Sequence, residues 1–266
     1  MNSAFFSDAL LQQKFNDEGI VQLDFLNEKE ISELQSYYRD TFVNSNKRNF
    51  HSTMFINDRE YRKKVNEKIQ SVLLQKTKSV LKNYRMLFSN FIVKEPSEET
   101  RVGIHQDWNF TSSEHVSINI WIPLVAINEK TGLFHALKGS HRSFHNIRFT
   151  PYEENAYAGL EEYILNNSTP YSIEAGTALI YHGALVHYSD KNASHQQRIA
   201  VGAALIPENA PNLHYYKRDN ALEVYEVNEA FYYDFDFYNE PKGVRKVSEI
   251  DKYAGLPLAS ELSSMK

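Results

Sequence analysis

At 266 residues the chain exceeds a typical domain, but single all-β barrels reach this size and it can bury a full core. With 29 basic and 34 acidic residues the net charge is −5 and no basic stripe stands out, which argues against a nucleic-acid partner. There are no cysteines, so disulfides, thiolate zinc sites and cysteine nucleophiles are excluded and His, Asp and Glu remain as metal ligands.

In chain order, residues 20–23 form a short predicted strand. Asn27 and Glu30 resemble a capping box opening a helix on which Ile31, Leu34, Tyr38 and Phe42 recur at helical spacing. A second helix is predicted over 58–83, with Val65, Ile69, Val72, Leu73 and Val80 along one face. From about residue 85 the period changes to two, and strands are predicted over 86–93, 116–122, 178–181 and 198–205. Residues 142–171 read as a polar insertion of the kind that covers sites, with a helix over 152–165. The last segment, 211–266, holds an aromatic run at 231–238 that reads as core or lid packing. One domain is expected over 1–266: a helical third (1–84), a β core (85–210) and this C-terminal extension. No secretory leader is visible, and no apolar stretch approaches the roughly 18–20 residues that cross a bilayer, so a cytoplasmic protein without a membrane partner is expected.

The chemistry-bearing residues lie in the second half. His105 and Asp107 are two apart, so on an extended segment both side chains point the same way. A lone His-x-Asp is a weak signal, and its plain alternative is a core histidine beside an aspartate that caps a turn before Trp108. It gains weight from His187, 80 residues beyond Asp107, and from Arg198, eleven further on. Two imidazoles and a carboxylate on one face of iron form a facial triad that leaves coordination positions open. A guanidinium nearby suits a dicarboxylate cosubstrate. His182 competes with His187 for the second imidazole. The interval to Arg198 favours His187, because it fits a hairpin whose return strand carries the guanidinium back to the metal. Arg198 opens an apolar strand, where a buried charge requires a partner; a structural salt bridge is the competing role. Ser189 can add a hydroxyl to the same carboxylate. Asn119 and Trp121 share one strand face and are candidates for lining the cosubstrate site, with core packing the other reading for Trp121. Trp108 and Asn109 are candidate substrate contacts. Of the remaining histidines, 115, 135, 141, 145 and 195 lie in polar or turn-like surroundings and are assigned surface or supporting roles, and His51 and His214 carry no signal.

These residues, in this order, resemble the phytanoyl-CoA dioxygenase family over most of the chain. The similarity begins at Phe15-Asn16-Asp17-Glu18-Gly19-Ile20-Val21. It continues through His105-Gln106-Asp107, Trp121-Ile122-Pro123-Leu124, Gly132-Leu133 and Lys138-Gly139-Ser140-His141-Arg142. It closes on Ala175-Gly176-Thr177-Ala178-Leu179-Ile180-Tyr181-His182-Gly183, His187, Asn192, Ser194 and Arg198. Lys138 stands where that family usually has proline. The resemblance implies a mainly β protein: a double-stranded β-helix (jelly-roll, cupin-like) core flanked by helices. It also implies Fe(II) held by His105, Asp107 and His187, with 2-oxoglutarate anchored by Arg198 and Ser189. The implied activity is O2-dependent hydroxylation of an unactivated C–H bond in a small-molecule substrate, releasing succinate and CO2. An acid at 107 argues against halogenation, in which a small residue at this place admits a halide. Some members place a further polar cosubstrate contact on the strand before the metal motif, where 88–93 offers Ser89 and Asn90. A different class of function is a metal-binding jelly roll without catalysis, acting as a sensor or scaffold. Oligomeric state and the identity of the substrate are not encoded in any motif found.

Overall fold

The computed structural model describes residues 4–42, 49–144, 147–151, 157–234 and 239–251. Its first elements are α1 (Ala9–Glu18), β1 (Ile20–Asp24), α2 (Glu28–Thr41), β2 (Phe50–Ser52), α3 (Arg59–Val80) and β3 (Tyr84–Lys94). Then come β4 (Val102–His105), β5 (Ile118–Pro123), β6 (Phe134–Ala136), α4 (Glu161–Asn167), β7 (Thr169–Tyr171), β8 (Thr177–His182) and β9 (His187–Ser189). The chain continues with β10 (Arg198–Pro207), β11 (Leu213–Arg218), β12 (Ala221–Glu226), α5 (Phe231–Asp234) and β13 (Arg245–Ile250).

Local sequence accounts for the helices. Asn27 accepts from the Glu30 amide while the Glu30 carboxylate accepts from the Asn27 amide, so the predicted capping box forms and starts α2. Asp58 caps α3 by accepting from the Tyr61 amide, and Val65, Ile69 and Leu73, each four apart, form its buried face. The helix ends at Val80 rather than 83.

Six antiparallel strands in the order β1-β8-β5-β10-β3-β2 make the major sheet, and β4-β9-β6-β7 make the minor one. The helical first third therefore also supplies two strands, of which only β1 is predicted from sequence. Helices α1 to α3 cover the outer face of the major sheet, where Phe15, Leu34, Tyr38, Ile69 and Leu73 share one cluster with Phe91, Val93, Ile199, Val201 and Leu205. The inner face packs on the minor sheet: Phe134 of β6 lies 5.5 Å from Trp121 of β5 and 5.7 Å from Tyr181 of β8. Both faces of β10 are thus covered, which is why 198–206 reads as a nearly unbroken apolar run instead of an alternation. Two facing antiparallel sheets with helices outside form the jelly roll.

A bulge in β3 sets which of its side chains point inward. Ala204 pairs with Phe88 and Leu205 with Met86, so Leu87 has no opposite number. The extra residue reverses the alternation and turns Phe88, Asn90, Ile92 and Lys94 to the inner face.

The insertion and the C-terminal region differ from expectation. Among the described residues helix α4 spans Glu161–Asn167, starting after 157–160 and ending two residues past 165, and its Ile164 shares a cluster with Leu160, Phe144, Tyr157 and Val186. Residues 152–156 of the predicted helix lie outside the described residues, as do His145 and the end of the aromatic run, 235–238. The extension holds an antiparallel sheet, β11-β12-β13, that the sequence analysis did not anticipate. At the run's start, Phe231 and Tyr232 are core: Tyr232 packs on Phe88 and Phe110 at 4.9 and 5.5 Å. Among the described residues no helix is long and apolar enough to cross a membrane.

Candidate metal centre and adjoining cavity

Strands β4 and β9 pair antiparallel with His105 opposite His187, and this register puts the two rings 4.1 Å apart. Asp107 follows where β4 ends, its amide donating to the Gly183 carbonyl at 3.1 Å. Its carboxylate lies 3.8 Å from His105 Nε2 and 3.9 Å from His187 Nε2. One ligand atom from each residue falls within 4.8 Å of the others, a spacing that one metal ion can bridge. The intervening Gln106 points the other way, as alternation requires, and is buried. Its amide nitrogen donates to the carbonyls of Phe144 and Ala184, and its oxygen accepts from the Tyr157 hydroxyl, clamping the segment between the two candidate ligands.

Both imidazoles are held in the same way. His105 Nδ1 lies 2.8 Å from the Gly103 carbonyl and His187 Nδ1 2.9 Å from the Leu185 carbonyl. A carbonyl only accepts, so each Nδ1 carries the proton and each Nε2 presents a lone pair to the common point. Burial lowers both histidine pKa values, and for His105 the neighbouring His187 adds to the effect; the neutral, ligating form is favoured. The Tyr181 hydroxyl donates to Asp107 Oδ2 at 2.9 Å, and burial followed by the Asp107 charge raises the phenol's pKa, so it remains a donor. His182, the competitor of His187, is turned away: its ring packs near Phe15 and His141, and its Nδ1 accepts from the Ala184 amide.

Arg198 is buried at the start of β10. Its Nη1 donates to the Gly132 carbonyl at 2.8 Å, and the guanidinium lies 5.0 Å from the Trp121 ring centre. Burial lowers its pKa to about 9, opposed by the Asp190 charge. Directly opposite on β3 stands Lys94, also buried, which the sequence analysis passed over. Its ammonium nitrogen lies 2.7 Å from Ser189 Oγ and 2.5 Å from the Asp190 carbonyl. Burial, and then the Arg198 charge, pull the lysine pKa down to about 6. Lys94 lies one residue past the 88–93 span on the strand before the candidate metal motif. In sequence Lys94 closes an apolar strand two positions from Ile92, as Arg198 opens one, but beside Glu95 it reads as an ordinary charged strand end. Ser89 instead bonds Asn66 of α3, and Asn90 donates to Ser52.

A cavity of about 430 Å³ opens beside His105 and Asp107. His105, Asp107 and Tyr181 line it, as do Trp121 and Asn119 of β5 and Gly202 and Ala204 of β10. Arg198 and Lys94 lie one inward-facing pair further along the β3–β10 ladder, past Ile92 and Ala200. The buried Asn119 Nδ2 has no hydrogen-bond partner among the described residues, a costly state that a ligand acceptor relieves. Of the two candidate substrate contacts, Trp108 lines the cavity and Asn109 does not. Asn109 Oδ1 accepts the Arg148 amide at 2.9 Å, because the adjoining insertion takes up its side chain as a brace.

The fold is shared with solved structures of low sequence identity. The non-heme alpha-ketoglutarate-dependent carbocyclase SnoK from nogalamycin biosynthesis is 18% identical, over 75% of this chain and 84% of its own, with a TM-score of 0.51. The epimerase SnoN, solved with Fe3+, alpha-ketoglutarate and nogalamycin RO, is 14% identical over 91% and 94%, at 0.56. HygX from Streptomyces hygroscopicus, solved with nickel, 2-oxoglutarate and hygromycin B, is 13% identical over 76% and 88%, at 0.55. No curated protein matches the sequence. The phytanoyl-CoA dioxygenase (PhyH) family model matches residues 24–200, from β1 through the metal cluster to Arg198, and the chain therefore belongs to this family of iron(II)- and 2-oxoglutarate-dependent oxygenases.

Proposed function

We propose that the protein hydroxylates a C–H bond of a small molecule, with iron(II) held by His105, Asp107 and His187 and 2-oxoglutarate anchored by Arg198. The observation that carries this reading is the three-residue cluster beside a cavity, with buried Arg198 and Lys94 facing each other further along the β3–β10 ladder. When bound, iron, 2-oxoglutarate and O2 supply the oxidising power, with succinate and CO2 released. SnoN and HygX, solved with a metal and this cosubstrate, support the same partners here. A metal-binding scaffold without catalysis would need the oriented imidazoles but not the buried Arg–Lys pair beyond them.

The chain's own residues bind, orient and shield. The two Nδ1–carbonyl bonds fix which nitrogen faces the metal, and Tyr181 holds the carboxylate of Asp107 in one orientation. Arg198 and Lys94 bring two positive charges to the distal carboxylate, with the Ser189 hydroxyl beside them. A dicarboxylate offsets the repulsion between cations that burial makes costly. Trp121 walls the cosubstrate site and the Asn119 amide donates into it. The apolar cavity keeps water from the reacting centre. SnoK and SnoN show that one fold carries ring closure and epimerisation, and the acid at 107 favours hydroxylation over halide transfer.

Three outcomes are expected. Asp107→Ala and His187→Ala abolish substrate-triggered succinate formation, while Arg198→Ala leaves the metal site intact and raises the 2-oxoglutarate requirement by about 10–100-fold, the loss of a charged hydrogen bond; unimpaired turnover in the ligand variants, or an unchanged cosubstrate requirement in Arg198→Ala, contradicts these assignments. Tyr181→Phe folds normally and binds Fe(II) about 10-fold more weakly in a metal titration, since only the bond orienting Asp107 is removed; equal affinity would deny Tyr181 that part. Lys94 has a folded-state pKa of about 6 and is largely neutral at about pH 7.5, whereas a carboxylate partner favours its charged form. Cosubstrate binding therefore takes up a proton and weakens as pH rises above about 6. Calorimetry at about pH 7.5 in two buffers of different ionisation enthalpy detects that uptake, and its absence in wild-type protein would contradict protonation of Lys94 on cosubstrate binding.

A further inference from the structure

We propose that the cavity receives a small molecule with an oxyanion head group, a carboxylate or phosphate, on an apolar body, and that the Arg148 guanidinium binds this head. The proposal rests on the cosubstrate assignment, in which 2-oxoglutarate occupies the Arg198 end and leaves the remaining space to a substrate.

Arg148 lines the cavity with His105, Asp107, Trp108 and Tyr181. It belongs to the insertion, yet it is tied to the segment that carries two of the candidate ligands. Its Nη1 donates to the Gln106 carbonyl at 2.9 Å, its amide donates to Asn109 Oδ1, and its guanidinium lies 3.8 Å over the Trp108 ring. Stacking and a backbone bond hold the fork in one orientation, which distinguishes it from a solvated surface arginine.

A guanidinium held in one orientation at a cavity wall presents paired N–H donors that suit a carboxylate or phosphate. The rest of the lining points the same way. Arg101 contributes a second guanidinium, and among the described residues the only carboxylate lining the cavity is that of Asp107. The cavity is thus locally positive in a chain whose net charge is −5. Beyond the charged end the walls are apolar, with Phe50, Met54, Phe55, Phe88 and Phe110. Gly202 lies in this wall, and a Cβ there would come within 2.9 Å of Ile92 and 3.0 Å of Asn90. These surfaces suit an aromatic or branched aliphatic body.

The test uses full-length protein loaded with Fe(II) and 2-oxoglutarate under argon, titrated calorimetrically with matched probes. These are 2-naphthoate against 2-naphthamide, and 2-naphthyl phosphate against 2-naphthol. At least one anion is expected to bind about 10-fold or more tightly than its neutral counterpart, and the tighter pair identifies the head group. Arg148→Gln, with its thermal midpoint checked against wild type, should reduce that preference below about 3-fold while leaving the 2-oxoglutarate Kd unchanged; Arg148→Lys should retain part of it. Equal binding of charged and neutral probes, no binding by any of them, or a preference that survives Arg148→Gln would overturn the proposal. A weakened 2-oxoglutarate Kd with the probe preference intact would also overturn it, making Arg148 a cosubstrate contact. Protein that binds no 2-oxoglutarate at all, but still prefers the anions through Arg148, would refute the cosubstrate assignment and leave this one standing.

Discussion

The register of β4 against β9 is the constraint on which the site depends. Antiparallel pairing sets His105 directly opposite His187, and in each strand the ring is braced by the carbonyl two residues earlier. A one-residue slip would turn one imidazole to the opposite face of the minor sheet and break the cluster. The buried Gln106, bonded to Phe144, Ala184 and Tyr157, opposes such a slip and ties the register to the insertion. The metal geometry is therefore a consequence of strand pairing before any metal is considered.

The second expenditure of stability lies on the major sheet. Lys94 and Arg198 face each other across β3 and β10, both buried, with partners that are mainly backbone carbonyls and a serine hydroxyl. Folding alone gives no reason for two cations there, and apolar residues of similar volume would be stabilising or neutral. The β3 bulge is what brings Lys94 inward, since without the extra residue Leu87 the alternation would leave its side chain on the helix side. A local irregularity of one residue thus completes the proposed carboxylate site.

What could be read from the sequence divides along physical lines. The metal cluster was legible because ligation restricts residue type and spacing at once, and Arg198 because a charge opening an apolar strand demands a reason. Helix α2 was legible from its capping box. Lys94 was missed because it precedes Glu95 and passes for an ordinary charged strand end; only the bulge, invisible in sequence, shows which way it points. Tyr181 reads as strand-end packing, since a phenol among apolar neighbours gives no sign of the carboxylate it will meet 74 positions away. Arg148 sits in a polar insertion where arginine is unremarkable. Asn109 is near Asp107 in sequence, but its side-chain oxygen accepts the Arg148 amide and it does not line the cavity. The C-terminal sheet escaped notice because its aromatic and acidic residues lack a clean alternation.

Absorption spectroscopy of the anaerobic protein tests the central claim most directly. Adding Fe(II) and 2-oxoglutarate to wild type should produce a weak visible charge-transfer band, because the keto acid chelates an iron held at three positions by His105, Asp107 and His187. The band should be absent from His187→Ala under the same conditions. A wild-type protein that folds, binds Fe(II) and develops no such band at saturating 2-oxoglutarate would contradict the account.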